Sequence, residues 1–383
     1  MSGSKPIKIL FFSRVPKIGG GETSLLAILK GLDKTRDVPV FVAIEAGPLS
    51  REVGKLGIKV RYCGPVPAGL LSIKPKNVFR KAIYVLGAGP ALWRLYRILK
   101  DEAIDIAHAN EALEAAFLSL PCFAAGVPLI WTVRNLFIMR PLYRFLYHRS
   151  AAVMAVSAAA ANPLIPLEQK RAGRGLKAKV RVIYEGIDVP PPAKPPFREK
   201  PYTAAIIGRL SPDKGQELFI RAAALVSQKT GQVKFLVVGD THLGDPDYAV
   251  ALQQLSRELG LMDKLEFTGF KSDIWELLSQ VDLAVMACPI EAFGRVTIEA
   301  MAASRPVIGI RAGGTAEIIL DDVTGKLIAN DQEELSLAIL ELLGNPQKAA
   351  AMGLAGRKRA EEHFTIQKMV GRITELYREI IKA

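Results

Sequence analysis

Cysteine is scarce in this 383-residue chain, and the three present (Cys63, Cys122 and Cys288) neither pair as CxxC nor come in an even number. That pattern excludes a disulfide-stapled scaffold and a cysteine-held structural zinc, and it leads us to expect a reduced, cytoplasmic protein. Long apolar runs are missing as well. The most apolar stretches, such as Ala151 to Ala161, are interrupted or fall short of the roughly 18 residues a membrane span needs. The start has only a short apolar run before Ser13 and Arg14, which suits a first β-strand and not a secretory leader. The dinucleotide fingerprint GxGxxG is absent, which argues against a dehydrogenase. Metal-ligand clusters are absent too. The pair Asp245-Pro-Asp247 has the look of a DxD metal motif, but it falls in a hydrophilic loop after VVGD and reads as a loop. Disorder is excluded, since 50% of the residues are hydrophobic and 23% charged.

Acidic residues are the next absence. Residues 53–100 hold ten Lys and Arg and no Asp or Glu, with Tyr62, Phe79, Tyr84, Trp93 and Tyr96 interleaved. The first 200 residues carry +17 and the remainder −4, within a net charge of +13. Charge this lopsided predicts two domains with different partners, the first meeting something anionic. Arg140, Arg144 and Arg149, with Tyr143, Phe145 and Tyr147, form a second basic aromatic stretch. Such faces suit anionic lipid head groups, and no nucleic-acid-binding motif accompanies them. Peripheral binding to the cytoplasmic face of a membrane through region 53–100 is the expectation. A solvated helical face with ordinary core aromatics is the alternative.

Short apolar segments alternate with helical stretches throughout, the signature of parallel α/β sheets. IKILFFS, VPVFVAIE, KVRYCG, IDIAHA, PLIWTV, AVMAVS and KVRVIYEG are strand candidates in the first half. The segment VPPPAKPPF holds five prolines in nine residues and reads as a stiff linker. YTAAIIGRL, KFLVVGD, KLEFTGF, DLAVMACP and RPVIGI then restart the pattern. We therefore expect a first domain over 1–188, a linker over 189–197, a second domain over 198–360 and a helical tail over 361–383.

Two motifs in the second half carry chemistry. Glu291-Ala-Phe293-Gly294-Arg295-Val296-Thr297-Ile-Glu299 follows a buried strand, so Gly294 and its neighbours open a helix. Free N–H groups at that helix start suit a diphosphate, and Glu299 one turn on suits a ribose diol. Earlier, Gly208-Arg209-Leu-Ser-Pro-Asp-Lys214-Gly also follows a strand, and its two cations can neutralise a diphosphate. Taken singly, each has an ordinary alternative reading, Glu299 as an exposed helix residue and Arg209 as a surface ion-pair partner. The order and placement of both motifs favour function.

These residues, together with RPVIGIRAGGTAEIILDDVTGKLI, resemble the retaining nucleotide-sugar glycosyltransferases of family 4. The likeness covers nearly all of residues 200–345. It implies an α/β GT-B fold, with two Rossmann-like doubly wound domains facing across a cleft and the final helix crossing back onto the first domain. It also implies that Arg209 and Lys214 hold the donor diphosphate and that Glu291 contacts the transferred sugar. Glu299 would bind the ribose, Phe293, Gly294, Val296 and Thr297 would line the phosphates, and Gly269, Phe270 and Lys271 would lie near the base. The donor would be a UDP- or GDP-sugar, with no metal and no cofactor.

In the first domain, Ser13-Arg14 precedes Gly19-Gly20-Gly21-Glu22 at a helix start. The resemblance brings Gly20 toward the donor phosphates, with Arg14 and Glu22 nearby on the acceptor side. His108 and Asn110 stand where the family commonly shows His-x-His. Arg134, followed by Asn135, replaces a histidine that contacts the donor sugar in related transferases. Arginine cannot act as a base at neutral pH, so Arg134 would bind an anionic or lipid-linked acceptor or pair with an acid such as Glu22. Glu185 replaces the family's Asn, and nothing in the sequence explains it. Surface-polysaccharide or lipopolysaccharide synthesis is the expected setting. Epimerase or phosphorylase chemistry on the same fold, or a non-catalytic scaffold, are the alternatives.

Overall fold

The computed structural model describes residues 5–64, 78–191, 196–197, 200–241 and 246–382, without the side chains of 78–87 and 246. Asp245 of the paired-aspartate loop, residues 192–195 of the proline-rich segment, and Lys74 and Lys76 lie outside the described residues. The side chains of Phe79, Arg80, Lys81 and Tyr84 do so as well.

The chain divides into two compact units, Met1–Gly186 with Ile366–Ala383, and Ile187–Thr365. In the first, β1 (Ile7–Ser13), β2 (Asp37–Ala43), β3 (Lys59–Tyr62), β4 (Ile106–Ala109), β5 (Leu129–Val133), β6 (Ala152–Ala155) and β7 (Val180–Val182) form one parallel sheet. Their spatial order is β3-β2-β1-β4-β5-β6-β7. In the second, β8 (Tyr202–Ile207), β9 (Val233–Val238), β10 (Leu265–Gly269), β11 (Leu283–Met286), β12 (Val307–Ile310) and β13 (Gly325–Ile328) are ordered β10-β9-β8-β11-β12-β13, again all parallel. Every residue of β4, β5, β6, β11 and β12 is buried. Helices cover both faces of such sheets, so apart from His108 in β4 and Thr132 in β5 these strands read as apolar runs without alternation.

Both orders reverse once, between β1 and β4 and between β8 and β11. At such a switch point neighbouring connections leave in opposite directions, and a crevice opens beyond the strands' carboxyl ends. Arg14 and Asn110 follow β1 and β4, and Arg209 and Glu291 follow β8 and β11. The strands thereby deliver both motif sets to the positions where open α/β sheets bind ligands.

Three segments differ from the sequence-based expectation. The edge strand β13 is short, contains Gly325 and Lys326, and carries too weak an apolar pattern to be read as a strand. Ile187 onward belongs to the second unit, where Phe197 is core and its N–H donates to Asp282 Oδ1 at 2.6 Å. The helical tail is two helices, Pro346–His363 and Ile366–Lys382. Between them Phe364 is fully buried against the Phe293 ring, with centroids 5.9 Å apart. The last helix belongs to the first unit. Ile366, Met369, Val370, Ile373, Leu376 and Tyr377 form one apolar stripe at helical spacing and enter that unit's core. Gly31 accommodates it, because a Cβ there would lie 2.6 Å from Ile366 and 2.8 Å from Val370.

Candidate active site

In the second unit the turn after β8 is shaped by Gly215, whose φ of +75° favours glycine. A Cβ there would also lie 2.0 Å from the Ala287 carbonyl oxygen, so the turn packs against the end of β11. Lys214 is thereby brought to Glu291, with Nζ 2.6 Å from Oε2. Burial alone would depress the Lys214 ammonium, but the Glu291 carboxylate outweighs it and holds the lysine above its ordinary value. Arg209 pairs loosely with Asp213 at 3.6 Å and is about half exposed. That leaves it available to an incoming anion.

Beyond β11 the loop carrying Glu291 is clamped by Gly313 and Gly314. The Gly314 N–H donates to the Glu291 carbonyl at 2.8 Å, and a Cβ on Gly314 would lie 2.4 Å from the Ala292 carbonyl oxygen. Gly294, at φ +106°, opens the helix Arg295–Ala302 with no side-chain cap. Beside it the Thr297 and Thr315 hydroxyls are buried without a hydrogen-bond partner. A Cβ on Gly294 would be 3.0 Å from one and 3.4 Å from the other. Unsatisfied buried hydroxyls cost stability unless a ligand meets them, and an uncapped helix start favours an anion. Glu299, on the same helix, is held by Arg295 Nε at 2.9 Å and is largely buried. Val296 is half-buried, and the Phe293 side chain faces the core. Gly269 ends β10 at φ +68° and accepts from the Gly239 N–H at 3.0 Å, with Phe270 and Lys271 exposed beyond it. Sequence reasoning singled out neither Thr315 nor the two clamping glycines, and it did not pair Arg295 with Glu299. The signal for the first three was the run RAGGT directly after β12.

The first-unit residues also converge, though not all as expected. His108 is a core histidine. It is 2% exposed, with Nδ1 2.5 Å from the Tyr377 hydroxyl and Nε2 2.6 Å from Thr132 Oγ1. Burial, and secondarily Arg134, push its pKa down to about 3, so it stays neutral and structural. Glu22 does not meet Arg134. Its carboxylate accepts from the Gly19 N–H at 3.0 Å and so steadies the helix start at Gly20. Arg134 instead pairs with Glu185, with side chains only 5% and 10% exposed. Its Nε donates to Asn110 at 2.9 Å and its Nη1 to Ser24 at 2.8 Å, while Nη2 is buried without a partner. Asn110 also donates to the Gly21 carbonyl at 3.2 Å. Asn135 is exposed. The two departures at 134 and 185 thus account for each other as one buried ion pair.

Glu111 and Glu114, directly after Asn110, are functional-site candidates that sequence reasoning passed over. Arg14 donates its N–H to Glu114 at 3.4 Å and lies 4.0 Å from Glu111. Burial, then the neighbouring Glu111, push Glu114 up to about 8; burial, then Glu22, raise Glu111. Carboxyls therefore outnumber guanidiniums here, and the patch suits hydroxyl groups better than a strongly anionic acceptor.

Family models match both units. Residues 18–190 match Glycosyltransferase Family 4, and residues 191–359 match Glycosyl transferases group 1. The fold is that of HepE from Anabaena, solved with UDP, at a TM-score of 0.79, 24% identity, and coverage of 97% of this chain and 100% of that one. The same protein solved with UDP-glucose gives a TM-score of 0.78 at 25% identity. A GDP-mannose-dependent alpha-(1-6)-phosphatidylinositol monomannoside mannosyltransferase of Mycolicibacterium smegmatis is 32% identical over 182 residues, 44% of this chain and 46% of that protein. The lipopolysaccharide core biosynthesis mannosyltransferase LpcC of Rhizobium leguminosarum bv. viciae is 25% identical over 340 residues, 85% and 89% of the two chains. The more identical curated relatives are thus matched over less than half their own length. Two Rossmann-like units, the paired glutamates Glu291 and Glu299, and family models that together run from residue 18 to residue 359 place this chain among the group 1, family 4 glycosyltransferases of the GT-B fold.

Proposed function

We propose that this chain transfers a sugar from a UDP- or GDP-sugar to an acceptor hydroxyl, with retention of configuration and without a metal. The observation that carries the reading is the gathering of Arg209, Lys214, Glu291, Gly294 and Glu299 at the switch point of the second sheet, beside two orphan hydroxyls. Arg209, Lys214 and the helix start at Gly294 would neutralise the diphosphate, and their charge would stabilise it as it departs. Glu299 would turn from Arg295 to the ribose diol. Glu291, fixed by Lys214, would accept from hydroxyls of the transferred sugar. The acceptor oxygen would form its bond to the anomeric carbon on the face from which the diphosphate leaves, and the diphosphate would take the acceptor's proton.

The comparisons support the chemistry and leave the base open, since one neighbour binds UDP and one relative is GDP-mannose-dependent. We place the enzyme on the cytoplasmic face of a membrane, acting on a lipid-linked or surface-polysaccharide precursor. No helix among the described residues is long and apolar enough to cross a membrane, so attachment would be peripheral. The test is release of nucleoside diphosphate from a panel of donors with water as acceptor. Slow release from one donor, lost in Arg209→Ala and Glu299→Ala, is expected. Equal release by both variants would overturn the assignment.

A further inference from the structure

The basic region 53–100 is less free than its sequence suggests. Lys55 pairs with Glu52 at 2.7 Å, Lys59 and Arg61 share Glu102 at 2.8 and 3.4 Å, and Arg97 meets Asp101 at 3.6 Å. The acids that pair with these four cations lie just outside the window. A different face of the first unit is both unpaired and apolar. Between Glu114 and Glu168 the chain has no Asp or Glu, and beside the buried Arg134, paired with Glu185, it holds Arg140, Arg144 and Arg149. The helices Ala112–Ala125 and Pro141–Arg149 pack side by side there. Leu120 and Phe123 project from one at 61% and 67% exposure, and Leu142 and Phe145 from the other at 37% and 50%. Each pair is spaced i, i+3, so it shares one helix face.

The Arg149 guanidinium lies 4.1 Å over the Phe123 ring and joins the two helices. Neither it nor Arg140 nor Arg144 has a carboxylate partner among the described residues. Below Arg149 opens a cavity of about 360 Å³, lined by Phe123, Val127, Leu129, Ser150 and Lys179 among others. Lys179 is already committed, its ammonium donating to the carbonyls of Tyr147 and Ser150 at 3.1 and 2.5 Å. Arg149 is the cation left for a ligand at that mouth.

We infer that this two-helix face is the membrane-docking surface, with Leu120, Phe123, Leu142 and Phe145 entering an anionic bilayer and Arg149 seating a lipid phosphate. Charge complementarity selects this occupant. Exposed aliphatic and aromatic side chains ringed by unpaired arginines, with no acid among them, match an interface of anionic head groups over acyl chains. A nucleic acid would use the charge and leave Leu120 and Leu142 in water. The inference rests on the peripheral-membrane reading above and replaces region 53–100 as its carrier.

The experiment is co-sedimentation of the full chain with phosphatidylcholine vesicles, with and without phosphatidylglycerol, alongside the thermal shift given by UDP or GDP. The wild type should bind only the anionic vesicles, less at high salt. Leu120→Ser with Phe123→Ser, and Arg140→Gln with Arg144→Gln and Arg149→Gln, should each lower that binding tenfold or more, at about fivefold per arginine. Both should keep the nucleotide shift, while Lys55→Gln with Lys59→Gln should change neither. Wild-type binding by both surface variants, or loss of binding in the lysine variant, would overturn the surface. No vesicle binding by the wild type, with the nucleotide shift intact, would overturn membrane docking altogether and leave the transferase reading standing.

Discussion

Arg134 and Glu185 depart from the family pattern separately in sequence and together in space. Both are almost wholly buried, so each is tolerable only because the other is present. Arg134→Ala should cost about 3–5 kcal/mol, because it strands the Glu185 carboxylate. Arg134→His with Glu185→Asn should recover much of that loss in urea unfolding. A single variant as stable as the wild type would contradict the pairing. Glu114 makes a prediction in pH. Its carboxyl, ordinarily near 4.5, is pushed up to about 8, so folding favours the neutral form. That stability is complete below about pH 4.5 and is lost as pH rises toward 8. Glu114→Gln should therefore flatten the decline of unfolding free energy between about pH 5 and pH 8. An unchanged slope would rule Glu114 out as its source. His108 works in the opposite sense. Held at about 3 against an ordinary 6.5, it contributes stability above 6.5 that is lost as pH falls. The pairing of residues 134 and 185 was not legible in sequence, because 51 positions separate them and only the sheet brings them together.

At the scale of elements the sequence was most legible where burial is two-sided. Parallel strands buried on both faces are apolar at nearly every position, so β4, β5, β11 and β12 could be read directly despite His108 and Thr132. β13 escaped notice because two of its four residues are Gly325 and Lys326, and the break at Phe364 escaped because it rests on tertiary contacts, the ring on Phe293 and the carbonyl accepting from the Ile187 N–H. The helix Arg295–Ala302 depends on its neighbours as much as on its own residues, for Gly313 and Gly314 hold the loop that leads into it. Gly314→Ala places a Cβ 2.5 Å from Phe293 Cα and must displace that loop. It should weaken nucleotide binding by about tenfold or more, since small misplacements at such sites cost up to about 10²-fold. Titration calorimetry on a variant whose helical content is preserved would check this. Unaltered affinity would mean that the loop does not shape the site.

For the whole molecule, the last helix makes the first unit discontinuous, its core completed by residues from Ile366 onward after a break at Gly186. Six buried side chains come from that helix. At about 1.5–3 kcal/mol each they are worth roughly 9–18 kcal/mol, which rivals the whole stability of a typical domain. A chain ending at Thr365 should therefore lose the first unit's cooperative unfolding transition and keep nucleotide binding by the second. Calorimetry with and without nucleotide would check both halves, and an unchanged first transition would contradict the packing. Membership of the family and the position of both motif sets were legible in the sequence, because they rest on local runs at strand ends. The pairing of Lys59 and Arg61 with Glu102 was not, because 43 positions separate Lys59 from Glu102.

Whether the second unit holds a nucleoside diphosphate through Glu299 and its neighbours is open to direct measurement. A thermal-shift panel of UDP, GDP and their sugar conjugates tests it most directly. Ligand at about a hundred-fold excess over Kd adds about 2.7 kcal/mol to the folded state, a shift of several degrees. One base should raise Tm in the wild type and lose that effect in Glu299→Ala. No shift with any nucleotide at saturation, or an equal shift in the variant, would contradict it.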